Sequence, residues 1–270
     1  MRTLWRCRTL ACALSLGCGL LALSSSHPVR SQGDDDDAYR AANEKAEFYW
    51  SRLQYTSSYG GSSYGYGYGY GFAGWSRDYP KADRQFLMAL KRLTRIQMRS
   101  IEQVVDLRSN DIFNYPWVYA VQVANWSFTD EEAQRLREYL LKGGFLMVDD
   151  FHGTQEWEVF VNSMQKVFPD KPIVDIPNED QIFHIFWDLD DRVQVPGLQF
   201  VYTGRIYEKD GYTPEWKAIY DDKGRIMVAI CHNMDLGDSV EHNDNPVYPE
   251  KYSAQGMRTY INYILYAMTH

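Results

Sequence analysis

Cysteine is scarce in this 270-residue sequence, with 4 in all, and Cys7, Cys12 and Cys18 sit near the N-terminus. That leaves Cys231 alone in the body of the chain, which excludes an internal disulfide framework there. Basic charge is in deficit too: 28 Lys and Arg stand against 36 Asp and Glu, a formal net charge of -8. Phosphate binding needs a concentrated basic face, so nucleic acid is excluded as the main partner. No phosphate-binding loop or dinucleotide fingerprint occurs. Beyond the N-terminus no uninterrupted apolar stretch approaches the roughly 20 residues that span a bilayer, so no membrane span is expected in the mature chain.

The N-terminus carries Arg2, Arg6 and Arg8, an uncharged stretch from Leu10 to Leu23, and small residues at Ser24-Ser25. Basic flank, short apolar run and small residues are the parts of a secretory signal peptide, here residues 1–24, so the chain is expected to be periplasmic or secreted. An uncleaved membrane anchor is the alternative. Cys18 follows Ser15-Leu16-Gly17, which lacks the Leu that a lipoprotein signal places three residues before its Cys. Cleavage near Ser24 removes the three N-terminal cysteines.

Residues 25–44 read as an acidic linker around Asp34 to Asp37, and residues 45–270 as a single α/β domain. Within it, residues 57–71 form a Tyr/Gly-rich tract in which Gly at every second position denies both strand packing and helix propensity, the pattern of a surface loop. A Gly-x-Ser-x-Gly at Gly61 to Gly65 lies inside that tract with no helix after it, so it is not read as a nucleophile elbow.

Glu47 to Tyr55 alternates as a first strand. A helix follows from Ala82, with Phe86, Leu87, Leu90 and Leu93 on one face. Thr129 and Glu132 make a capping box for a helix that Gly143-Gly144 stops. Phe145 to Val148 is a short, wholly apolar run, as in a strand covered on both faces. Helices are expected around Trp157 to Phe168 and Met257 to Met268, and strands at Leu198 to Tyr202, Trp216 to Tyr220 and Arg225 to Cys231. Asp221 to Gly224 is a hairpin turn between the last two. Strands alternating with helices in this order imply a three-layer α/β sandwich with a mainly parallel sheet and an antiparallel addition near the C-terminus.

Ligands of open α/β sheets bind beyond the carboxyl ends of the strands, so the polar segments there are candidate sites. They are Asp78-Tyr79-x-x-x-Asp83 at the first helix entrance, Asp149-Asp150-x-His152 after the apolar strand, and His232-Asn233-x-Asp235-x-x-Asp238 after the last core strand. Three readings stand side by side. Asp78 can cap a helix while Asp149 and Asp235 tie down loop backbone. Alternatively, Asp78, Tyr79, Asp83, Asp149, Asp235 and Asp238 line a pocket for a polar or carbohydrate-like ligand, with Tyr79, Tyr115 and Trp117 as apolar platforms. The third reading is a divalent-metal site of Asp150, His152 and His232, the same residues being the candidates for acid/base catalysis. His184, inside an aromatic run, is expected to be packed, and Cys231 to be buried and structural.

The strings WSRDYPKADRQFLMALKRLT (75–94), NYPWVYAV (114–121), LREYLLKGGFLMVDDFHG (136–153) and MVAICHNMDLGD (227–238) resemble the bacterial family called domain of unknown function 4159. The resemblance implies a flavodoxin-like fold related to class I glutamine amidotransferases. Those relatives place a nucleophilic Cys in the tight turn after a central strand, where backbone N–H groups stabilise an oxyanion. At the matching turn this chain reads Asp149-Asp150-Phe151-His152-Gly153, with neither Cys nor Ser, so glutaminase chemistry is not expected. Cys231 and His232 are adjacent on a strand and point to opposite faces, so they do not replace it. The expectation is an exported envelope-associated binding or interaction protein, its partner another envelope protein or a small polar ligand. The alternative is a hydrolase, metal-assisted or not, acting on carbohydrate or peptide envelope material. No cofactor is expected beyond that divalent metal.

Overall fold

The structure is a computed structural model that describes residues 40–57 and 74–270. The expected signal segment, most of the acidic linker, the Tyr/Gly tract and the Gly61 to Gly65 pattern lie outside the described residues.

A run of wholly buried strands fixes the architecture. β3 (Trp117–Val121), β4 (Phe145–Asp149) and β7 (Ile226–His232) are buried at every position, as strands must be when helices cover both faces. β1 (Ser51–Gln54) and β2 (Gln103–Asp106) extend them on one side; β6 (Glu215–Tyr220) and the two-residue β5 (Val174–Asp175) extend them on the other. The order is β2-β1-β3-β4-β7-β6-β5, parallel from β2 through β7 and antiparallel at β6 and β5. The chain is therefore α/β, with helices in layers on both faces of a mostly parallel seven-stranded sheet.

Alternation along the strands sorts the core into two. Trp117, Tyr119, Phe145, Met147 and Cys231 face α1 (Lys81–Leu93) and the long C-terminal helix, while Val118, Ala120, Leu146, Val148 and Ile230 face α2 (Asp130–Leu141) and α3 (Gly153–Val167). The expected capping box is present. Thr129 N–H donates to Glu132 Oε2 at 2.8 Å and Glu132 N–H donates to Thr129 Oγ1 at 3.1 Å. At the other end of α2 the chain turns at Gly143, where φ is +108°. The Asp221 to Gly224 hairpin also forms, Asp221 Oδ1 accepting from the Lys223 and Arg225 amides.

Three expectations require correction. Leu198 to Tyr202 is not a strand; Gln199–Thr203 is a short helix, α4, whose entry is held by the Leu198 amide donating to Asp238 and whose exit turns at Gly204 with φ +70°. Only Ser51–Gln54 of the first expected strand pairs in the sheet, Phe48 making an isolated bridge to Met98. His184 is only partly packed: about 30% of its side chain is exposed, and its ring nitrogens meet Asp188 Oδ1 at 3.0 Å and the Asn178 carbonyl at 2.7 Å. Two further helices follow β7, α5 (Leu236–Glu241) and α6 (Glu250–Thr269). Among the described residues no helix is long and apolar enough to cross a membrane.

Candidate functional site

The carboxyl ends of β1, β3, β4 and β7 lie along one edge of the sheet, and there the backbone is unusual. Gln122, Asp150 and Asn233, each directly after a strand, have left-handed φ of +50°, +50° and +62°, and Asp78, before α1, has +61°. Non-glycine residues adopt this region at a cost and persist there when the surroundings hold them. The loops are laced together: the Asp150 amide donates to the Met234 carbonyl and the Asn233 amide to the Phe151 carbonyl, both at 3.0 Å, while Gly153 N–H donates to Asn233 Oδ1 at 2.8 Å.

Asp149 sits at the centre, fully buried. Tyr119 Oη donates to its Oδ1 at 2.5 Å, and the first amides of α5, those of Leu236 and Gly237, donate to its Oδ2 at 2.8 and 3.2 Å. Burial outweighs these bonds, with Asp150 adding to it, and lifts the carboxyl to about 7. Tyr260 Oη donates in turn to Tyr119 Oη at 3.1 Å, so a hydroxyl chain links α6 to Asp149.

Around Asp149 the acids crowd. Asp235 caps α5, its Oδ1 accepting from the Asp238 amide at 2.8 Å. Asp78, Asp235 and Asp238 bring carboxylate oxygens within 4.8 Å of one another. Burial, then mutual repulsion, pushes Asp78 and Asp235 well above the usual carboxylate range; burial chiefly raises Asp238 and Glu241 as well. Asp150 is 7% exposed and its Oδ2 makes no hydrogen bond, and Asp78 Oδ2 is likewise buried without a partner. The other oxygen of Asp150 meets His152 Nε2 at 3.3 Å, and Nδ1 of that ring is also unpartnered. Burial opposes charge on His152, but the bond and charge of Asp150 prevail and raise its pKa.

The candidates of the sequence reading thus divide. Asp78, Asp149, Asp150, His152, Asp235 and Asp238 share the carboxyl edge, with Tyr79 adjoining Asp78. Tyr115 and Trp117 do not join them: they precede and open β3, at the amino edge. Trp117 is core, stacked on Phe145 at 5.3 Å, and Tyr115 packs edge-on against Tyr49. Asp83 is not free to meet a ligand either. It accepts from Arg52 Nε and Nη2 at 3.0 and 2.8 Å and from the Trp50 indole, in a fully buried ion pair. Asp78 caps no helix, since Pro80 occupies the N-cap of α1. His232 is committed at both nitrogens, to Glu215 Oε2 at 2.9 Å and near the Gly153 carbonyl at 3.3 Å, and burial lowers its pKa. Its ring packs at a tilt against Phe151 and Trp157 on the α3 side, while Cys231 is buried on the opposite face, its thiol pushed up by burial. The trio Asp150, His152 and His232 accordingly offers no common ligand sphere.

Sequence reasoning missed Arg52, Tyr119 and Tyr260. A lone Arg between Trp50 and Leu53 in a strand was the available signal, because a charge there must be paired. Two cavities of about 580 Å³ lie elsewhere, one beside Trp157, Phe168 and Lys171, the other beside Arg92, Ile96 and Leu265.

The family model described as Domain of unknown function (DUF4159) matches residues 66–268, three quarters of the chain, and the chain belongs to that family. No curated protein matches it.

Proposed function

From a membership that carries no activity, we propose that the chain is an exported binding protein of the flavodoxin-like, amidotransferase-like fold, without glutaminase chemistry, that takes a polar ligand at the acidic carboxyl edge. The strand order β2-β1-β3-β4-β7 supports the finer fold assignment, since it places its reversal point between β1 and β3 in the doubly wound manner. Export rests on the Arg-flanked apolar run of the N-terminus. N-terminal sequencing of native protein tests it; recovery of chains beginning at Met1 overturns it.

One observation carries the site. The turn after β4, where a nucleophile would stand, instead presents Asp150 in a left-handed conformation with a buried, unpartnered carboxylate oxygen. A buried acceptor without a donor costs roughly 1–3 kcal/mol, which a ligand hydroxyl or cation would relieve. An aspartate there would also repel the oxyanion that amidotransferase turns stabilise. Thermal-shift screening with neutral mono- and disaccharides and short peptides is expected to find a stabilising ligand that the Asp150→Asn/His152→Gln variant no longer binds. Glutamine is expected to release no ammonia. Ammonia release, or a screen in which nothing binds, overturns the reading.

The Asp150 and His152 pair favours a second reading, a hydrolase. A histidine held by a carboxylate, with its other nitrogen free, is equipped to move a proton. Hydrolysis of an envelope saccharide or peptide that His152→Gln abolishes would establish it.

A further inference from the structure

We propose that Asp78, Asp235 and Asp238 hold one hard divalent cation, of the magnesium or calcium class, at the carboxyl edge beside Asp150. The inference rests on reading that edge as a binding site and names what occupies it.

The donor set is all oxygen, and its spread fits an ion. Calcium–oxygen bonds are about 2.3–2.6 Å, so oxygens gathered around one ion lie up to about 5 Å apart, and these three lie within 4.8 Å of one another. The chain leaves room for them with two glycines. A Cβ on Gly237 would come within 2.5 Å of Asp78 Oδ2 and 3.5 Å of Asp235 Oδ1; one on Gly197 would come within 2.7 Å of Asp235 Oδ2 and 3.0 Å of Asp238 Oδ2.

The independent observation is the orphaned oxygens. Asp78 Oδ2 and Asp150 Oδ2 are both buried with no hydrogen-bond partner, and the Asp150 side chain is only 8% exposed. The negative charge of Asp150 also disfavours ionisation of all three proposed ligands, adding to the charge a cation would offset. Among the described residues little positive charge offsets the group: Arg52, which acts on Asp78, is already doubly bonded to Asp83, and His242, 3.6 Å from Asp238 Oδ1, is a cation only when protonated. The α5 amides are spent as well, on Asp149 and on the Asp235 cap. Four carboxylates in a poorly solvated corner therefore face at most one ionisable histidine, and a divalent ion supplies the missing positive charge. Three carboxylates leave coordination positions open, which the oxygens of a hydroxyl-rich ligand can fill.

Calorimetric titration of CaCl₂, and separately of MgCl₂, into the chelator-stripped full chain tests the proposal. One cation per chain is expected, with Kd on the order of 10⁻⁴ M and proton release visible as a buffer-dependent heat. Asp78→Asn should weaken binding at least tenfold, and Gly237→Ala, which drives a methyl group into the Asp78 position, should do the same. Because Asp78 Oδ2 bonds to nothing, Asp78→Asn should melt no lower than wild type without cation, and should lose the cation-dependent rise in Tm. Absence of binding at 10 mM salt, or equal binding by wild type and both variants, overturns the proposal. If a saccharide still stabilises the cation-free chain through Asp150 and His152, the cation alone is refuted; if neither cation nor saccharide binds, the reading of the edge as a binding site falls with it.

Discussion

Replacing Asp83 by Asn keeps the shape of the side chain and removes its charge, which isolates what the Arg52 pair contributes. Both partners are sealed from solvent, at 1% and 0% exposure, and the guanidinium makes two bonds to the carboxylate. Breaking a buried pair by removing one partner costs about 3–5 kcal/mol, since the other charge is left uncompensated. Arg52 retains bonds to the Trp75 and Arg77 carbonyls, at 3.1 and 2.8 Å, and lies over the Tyr119 ring, so the lower end applies. A loss of about 3 kcal/mol corresponds to a Tm lower by roughly 6–12 °C for a domain of this size. Urea unfolding followed by tryptophan fluorescence measures it, Trp50 being bonded to the same carboxylate. Arg52→Met/Asp83→Leu should recover most of the loss, because apolar replacement of a buried pair is often neutral. An Asp83→Asn protein within 1 kcal/mol of wild type, or a double variant weaker than both single ones, would refute the argument. A ligand-contact role for Asp83 would instead spare stability and weaken binding.

Asp149, with a folded value of about 7 against an ordinary 3.8, keeps its proton in the folded state across that interval, so the stability it confers is full below about pH 4 and lost as pH rises through 7. Denaturant titrations of cation-free protein should show stability falling over this window, by at most about 4 kcal/mol from this group, with a flatter slope in Asp149→Asn. Gly256→Ala would place a Cβ 1.9 Å from Ser239 Oγ between α6 and α5; a loss of about 1–3 kcal/mol in chemical unfolding is expected, partly restored by Ser239→Ala. Cys231, wholly buried with a raised pKa, should react with a thiol reagent only at the rate of unfolding, and fast labelling of native protein would contradict that. Replacing residues 58–73 by a few Gly and Ser should leave Tm nearly unchanged, because Ser57 is bridged to Trp126 and Gly74 lies against the Tyr55 hydroxyl.

The capping box, the Asp221 hairpin and the wholly apolar β4 were legible because each is decided within a few residues of sequence. β3 was not, although WVYAV is as apolar as FLMVD: no Gly or Asp punctuates it, and Tyr115 and Trp117 read as well for a ligand platform as for strand and core. Leu198 to Tyr202 misled for the opposite reason, since its alternation is that of a strand while a distant carboxylate, Asp238, sets its helical entry. Which acids meet was half legible. That strand ends converge is a property of the topology; that Asp83 turns inward to Arg52 while Asp78 stays unpaired depends on contacts some 30 residues away in the chain.

The two outermost strands bear on how molecules of this protein behave toward each other. β5 offers only two residues for lateral pairing. On β2 the amides of Gln103 and Leu107 bond inward to β1, which leaves Val104 facing outward, and the Gln103 side chain donates to the Val104 carbonyl at 2.8 Å. One end of the sheet is thus too short to template another strand, and the other occupies one of its own outward acceptors. Growth of a fibril by edge-to-edge addition finds little purchase on the native fold at either margin. Aggregation should therefore require opening of β2 or β5 first, so its rate should follow local unfolding rather than protein concentration alone.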